Sequence, residues 1–220
     1  RYQVIMPITS MKDDEVYAPN YKNGEKVALV RFPHGGTFEI PVLTVNNKQA
    51  DAKKILGTNA LDAVGINSKV AERLSGADFD GDTVMVIPCN SSTSKVKITS
   101  TPPLEGLKGF DPKTKYGADE TRVDASGKEH YYRGGKEYRQ MKATQKEMGV
   151  ISNLITDMTL KGATQDELAR AVRHSMVVID AEKHKLDYKQ SEIDNDIASL
   201  KRRYQGRIGE DGKYHEGAST

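Results

Sequence analysis

Three aspartates stand at alternate positions in the run Ala77-Asp78-Phe79-Asp80-Gly81-Asp82. Carboxylates this close repel one another, and gathering them is costly unless a cation sits between them. Hard oxygen ligands suit Mg²⁺, which keeps some of its waters and commonly shares its shell with phosphates. Gly81 allows a tight backbone turn through which the side chains can converge. The next residues, Thr83-Val84-Met85-Val86-Ile87-Pro88, form the continuous apolar stretch of a buried strand and would tie the loop to a rigid core. Asp78, Asp80 and Asp82 are therefore the expected ligands of a Mg²⁺ cofactor.

Other acidic motifs compete for the same residues. A solvated turn is the plainest, because Asp-Gly pairs are frequent in turns; a third aspartate beside an apolar run is not required by such a turn. A calcium loop of the EF-hand type needs Gly at its sixth position and Glu at its twelfth. Counted from Asp78 those positions hold Thr83 and Cys89, which excludes it. A haloacid-dehalogenase-like phosphatase needs Asp-x-Asp-x-Thr/Val after an apolar strand. Here the fifth position is Asp82 and the preceding Arg73-Leu74-Ser75-Gly76-Ala77 is no such strand, so this remains the weakest alternative.

A loop of this kind needs a β-rich body to hold it, and residues 1–90 read that way. Lys26 to Phe32 forms a strand ended by Pro33 and Gly35-Gly36. Thr37 to Val45 forms a second, with Pro41 marking a bend or an edge. Short helical patterns cover 51–56 and 69–74, the latter with Ser68 as its N-cap. Residues 91–140 are a polar insertion rich in Ser, Thr, Lys, Gly and Asp, with short hairpins expected around Tyr131 and Tyr132.

Residues 141–205 are a helical subdomain. Met148, Ile151, Ile155 and Met158 share one face, and Gly162 fits the stop. Thr164-Gln165-Asp166-Glu167 is a capping box, and Leu168, Val172, Ser175, Met176 and Ile179 would form the inner face that follows. Val177 and Val178 make that helix apolar nearly all round, so it should be buried against more than one neighbour. A further helix begins near Ser191, with Ile193, Ile197, Leu200 and Tyr204 inward. Residues 206–220 read as a flexible tail.

Bulk composition sets outer limits. With 36% hydrophobic and 29% charged residues the chain reads as a soluble globular protein. A net charge of +2 is too small to argue for nucleic acid, so any such binding must come from local sites. Cys89 stands alone, which rules out an intramolecular disulfide and a cysteine-rich zinc site. No membrane-spanning run or signal peptide is visible, and a cytoplasmic setting without membrane partners is expected. The chain opens on Arg1 and runs at once into a strand, as expected of a piece of a longer polypeptide.

The block Leu74-Ser75-Gly76-Ala77-Asp78-Phe79-Asp80-Gly81-Asp82 resembles the catalytic loop of the two-barrel RNA polymerases. That superfamily includes the β′ subunit of multisubunit RNA polymerases and the cellular RNA-dependent RNA polymerases of RNA silencing. In β′ the loop usually reads Asn-Ala-Asp-Phe-Asp-Gly-Asp, with Gly76 here in place of the asparagine. Ser75-Gly76 is closer to the Ser-Gly-Gly-Asp-Leu-Asp-Gly-Asp form of the silencing branch. Val30-Arg31-Phe32-Pro33-His34 resembles the Arg-x-Pro element that precedes the acidic loop in both branches. Downstream, Gly149-Val150-Ile151-Ser152-Asn153, Leu168-Ala169 and Val178-Ile179-Asp180-Ala181-Glu182-Lys183 resemble a Gly-x-Ile-x-Asn, Leu-Ala, Val-Asp-x-x-Lys series of the silencing enzymes. The general look is that of polymerase-like proteins of phages and bacterial mobile elements.

The resemblance implies an α+β fold in which a double-psi β-barrel carries the aspartate loop and a helical region follows. It implies a nucleotidyltransferase that extends a 3′-hydroxyl with nucleoside triphosphates on a DNA or RNA template and releases pyrophosphate, an activity of transcription. Asp78, Asp80 and Asp82 would be catalytic and metal-binding, and Arg31 would approach the ribose or phosphates of the incoming nucleotide. Lys183 would contact nucleic acid. The family's catalytic lysines lie on a second barrel, N-terminal to the acidic one and expected in the same polypeptide, so the 220-residue chain is expected to polymerise poorly alone. A non-catalytic nucleic-acid-binding module of a mobile element is the alternative, with Lys183-His184-Lys185 and Lys201-Arg202-Arg203 as its basic clusters.

Overall fold

In the computed structural model, residues 1–32 and 34–215 are described. The chain divides into two units, Arg1–Pro103 and Leu104–Thr220.

In the first unit, alternate residues of β1 (Tyr2–Pro7) and β6 (Thr83–Pro88) turn inward, the period of two that a strand imposes: Gln3 and Ile5 on one, Val84 and Val86 on the other. The two strands run antiparallel, with Gln3 opposite Val84. β3 (Lys26–Val30) lies antiparallel on the other side of β6, and β4 (Val42–Val45) antiparallel to β3. The outer places are taken by β2 (Glu15–Val16), parallel to β4, and β5 (Ala63–Ile66), parallel to β1. The order is β2-β4-β3-β6-β1-β5, and its two ends return to each other: Tyr17 and Gly65 exchange backbone hydrogen bonds of 2.9 Å in both directions. The six strands thus form a nearly closed barrel, which leaves little open edge. Gly65 permits the closure, since a Cβ there would stand 2.7 Å from Ile8 Cγ1. Ile5, Leu29, Leu43, Val64, Ile66 and Val84 are among the side chains that fill the interior.

Two local expectations change here. The stretch 37–45 is not one strand: Thr37–Glu39 forms a 3₁₀ turn and only Val42–Val45 is extended. The cause is Glu39, which turns inward and accepts the Gly35 N–H, bending the chain before Pro41. The cap of α2 (Ser68–Arg73) is Asn67, not Ser68. Its Oδ1 accepts the Val70 N–H while its Nδ2 donates to Met11 O and Asp13, so one amide both starts the helix and ties it to the loop after β1. α1 (Ala50–Leu56) begins on Gln49.

The second unit is helical with a small sheet. α3 (Pro112–Tyr116) precedes a three-stranded antiparallel sheet of β7 (Glu120–Val123), β8 (Glu129–Arg133) and β9 (Lys136–Glu137), so a hairpin does run through Tyr131 and Tyr132. α4 (Thr144–Leu160) buries Ile151, Ile155 and Met158 as expected, and Gly162 follows it at φ +73. α5 (Gln165–His184) starts at the expected capping box and packs against α3, α4, α6 (Tyr188–Asp194) and α7 (Ile197–Gln205).

Its buried face agrees with the expected one only in part. Val172 is inward as expected, together with Ala171, His174, Val178 and Ala181, while Leu168, Ser175, Met176 and Ile179 are only half-buried. Small residues let the neighbouring helices approach there, so apolar size alone does not mark the whole of the buried stripe. Ile193 is 70% exposed, because α6 ends at Asp194 and α7 restarts the face with Ile197, Leu200 and Tyr204. Within the expected tail, β10 (Arg207–Ile208) pairs with β11 (Tyr214–His215). Among the described residues no helix is long and apolar enough to cross a membrane.

Candidate active site: the acidic loop and its arginine

The acidic loop joins α2 to β6, and its backbone is held at three points. Ser75 and Gly76 both take left-handed conformations, φ +55 and +67, which turn the chain out of α2. Ala77 is buried and Phe79 packs against the barrel core, so the loop's apolar residues plug inward. Beyond the turn, the Asp82 carbonyl accepts the Ile5 N–H of β1 at 3.0 Å. Gly81 sits at φ +108 with open space where a Cβ would be, so its role is conformational freedom and not close packing.

With the apolar residues inward, the acidic ones face out. Asp78 and Asp80 are exposed and Asp82 is half-buried. Asp82 Oδ2 accepts the Asp78 N–H at 2.9 Å and lies 3.1 Å from the Arg31 guanidinium. Like charges spread apart unless something offsets their repulsion, and Arg31 supplies the positive charge that one of them takes. The expected three-carboxylate cage is not formed: among the described residues, no three His, Cys, Asp or Glu side chains gather closely enough to hold a metal ion. The donor set still fits a hard cation in kind, because Mg²⁺ needs only one or two carboxylates when waters and phosphates complete its shell.

Arg31 stands just past the end of β3, its side chain 15% exposed. One terminal nitrogen donates to the Ser75 carbonyl at 3.3 Å while the other meets Asp82. The barrel thereby brings together two residues 51 positions apart that the sequence had singled out. The other prominent members of the Arg31 segment are aromatic. Phe32 is 55% exposed, with its ring centroid 5.5 Å from that of His34. His34 Nδ1 is buried with no hydrogen-bond partner among the described residues, and burial lowers the pKa of the ring. Pro33 lies outside the described residues.

Glu39 escaped the sequence reading. It is 4% exposed, accepts the Ser75 hydroxyl at 2.8 Å, and burial raises its pKa against the opposing pull of the Gly35 and Ser75 hydrogen bonds and Arg31. The signal that could have found it is a charged residue between two apolar ones, Phe38-Glu39-Ile40. Lys183 belongs to the second unit, exposed on the last turn of α5.

No family model and no curated protein matches the chain. Among solved structures it is similar to the RNA dependent RNA polymerase QDE-1 from Thielavia terrestris, at 11% identity and a TM-score of 0.36, over 86% of this chain. The chain spans 17% of the length of that structure.

Proposed function

We propose that this chain is the aspartate-bearing part of a template-dependent RNA polymerase, with a barrel of the double-psi type presenting the loop. The observation that carries the reading is the Arg31–Asp82 contact of 3.1 Å, which joins the two motifs of the family resemblance at one site. In this reading Asp78 and Asp80 would hold Mg²⁺ together with waters and phosphates, and Asp82 would join them only by turning from Arg31; the ion, when bound, would lower the pKa of an attacking 3′-hydroxyl and offset charge on the triphosphate.

The chain's own residues do the positioning. Asp78 and Asp80 offer exposed carboxylate oxygens on a backbone fixed by Phe79 and by the Asp82 carbonyl. Asp82 and the Ser75 carbonyl grip the Arg31 guanidinium from two sides, so that its planar fork meets the ribose or phosphates of a nucleoside triphosphate in one orientation. The 3′-hydroxyl oxygen then bonds to the α-phosphorus, the bond from that phosphorus to the bridging oxygen breaks, pyrophosphate leaves, and the hydroxyl proton passes to solvent. Lys183 serves as a contact to the nucleic acid, and a second barrel of the same polypeptide supplies the remaining catalytic cations.

The test is template-directed nucleotide incorporation by the full-length protein, with and without Asp80→Ala. A loss of at least about a hundredfold is expected, the size seen when a key electrostatic group is removed. Incorporation unchanged by the substitution would overturn the reading. Retained template binding without any incorporation by the wild type would favour the non-catalytic binding module.

A further inference from the structure

Glu39 is a buried carboxylate with no role in the chemistry above, yet it touches the residue on which that geometry turns. Ser75 holds φ +55, a left-handed conformation that residues other than glycine adopt uncommonly and at some cost. Two of its groups are gripped by residues from another part of the chain. Its hydroxyl donates to Glu39 Oε2 at 2.8 Å, and its carbonyl accepts from Arg31 at 3.3 Å. The same Glu39 oxygen accepts the Gly35 N–H, which anchors it to the turn following Arg31. A continuous path therefore runs from Glu39 through Ser75 to Arg31, and from Arg31 across 3.1 Å to Asp82.

We propose that Glu39 is a positioning residue for Arg31: by holding Ser75 in its left-handed conformation it sets the carbonyl against which the guanidinium is braced. Arg31 and the acidic loop then meet a nucleoside triphosphate as one preorganised unit, a role that rests on the polymerase reading. Hydrogen-bond acceptance by Glu39 is what the path uses, since the Gly35 N–H and the Ser75 hydroxyl both donate to it. Glutamine keeps an acceptor oxygen and nearly the same volume, and alanine keeps neither.

The prediction is checked by nitrogen-detected NMR of the ¹⁵N-arginine-labelled chain, reading the rate at which the Arg31 guanidinium rotates about its Nε–Cζ bond. A guanidinium braced at both terminal nitrogens rotates slowly. Glu39→Ala should raise the rate at least about tenfold, and Glu39→Gln should hold it within about twofold of the wild type, the hydrogen bond being directional. Should Glu39→Ala fail to fold, Ser75→Ala removes the same hydrogen bond from its half-buried partner and should give the same increase. A folded Glu39→Ala or Ser75→Ala protein whose Arg31 rotates at the wild-type rate overturns the assignment. Adding ATP with Mg²⁺ to the wild-type sample separates the two ideas. Arg31 signals that do not move on addition overturn the triphosphate reading, while the rotation rates still decide the role of Glu39.

Discussion

The acidic loop of the barrel unit and the core of the helical unit use their polar side chains in opposite ways. In the barrel, Asp78 and Asp80 stand exposed on a loop whose backbone is fixed by buried neighbours. In the helical unit the polar groups are drawn inward and joined to one another. Ser191, fully buried, meets His174 Nδ1 at 3.0 Å and accepts from Asn195, and the Tyr116 hydroxyl donates to Asp194 at 2.8 Å. Glu167 accepts from the Thr164 backbone, from the Tyr204 hydroxyl and from Arg203. Exposed charges on a rigid backbone are available to a ligand and contribute little to stability. Buried and mutually satisfied ones hold helices in register, and disturbing them is costly.

Substitutions should separate the two kinds of site. Asp80→Asn in the full-length protein should reduce nucleotide incorporation about a hundredfold or more while changing unfolding free energy by less than about 0.5 kcal/mol. Both are read from incorporation assays and denaturant melts on the same preparation.

A buried group of the helical unit should show the reverse pattern. His174 is 5% exposed, and burial depresses its pKa from 6.5 to about 4. The unfolded chain then binds the proton more readily than the folded one. Stability from this group is complete above pH 6.5 and falls as the pH drops towards 4, by up to about 3 kcal/mol. Denaturant melts at pH 7.5 and pH 5 should show the loss, and His174→Leu should flatten it.

Glu167→Ala removes the capping-box partner together with the acceptor for Tyr204, and should cost about 2 kcal/mol in the same melts. It should leave divalent-cation binding unchanged. The smallest contrast lies at the start of α2, where Asn67→Ala should cost about 1 kcal/mol and Ser68→Ala less than about 0.5 kcal/mol.

Those neighbouring residues also show what the sequence made legible. The existence of α2, the capping box at Thr164 and the strand after the acidic loop were all readable, because each depends on residues close together in the chain. Choosing Asn67 over Ser68 was not, since the choice is made by a hydrogen bond to Met11, 56 residues away. The buried stripe of α5 was partly misjudged for a related reason: its position depends on how closely the helices around it approach. At the candidate site the three aspartates and Arg31 stood out by residue type, but Glu39 did not. Its significance lies in the Ser75 hydroxyl, 36 residues further on, which only the folded barrel brings within reach.

Binding of a divalent metal by the acidic loop is measured by titrating this chain with Mn²⁺ and following the free ion by electron paramagnetic resonance. One site per chain is expected, displaced by Mg²⁺ and weakened at least about tenfold in Asp78→Ala and in Asp80→Ala, whose carboxylates would be its principal ligands. Equal Mn²⁺ binding by the wild type and both variants would contradict it.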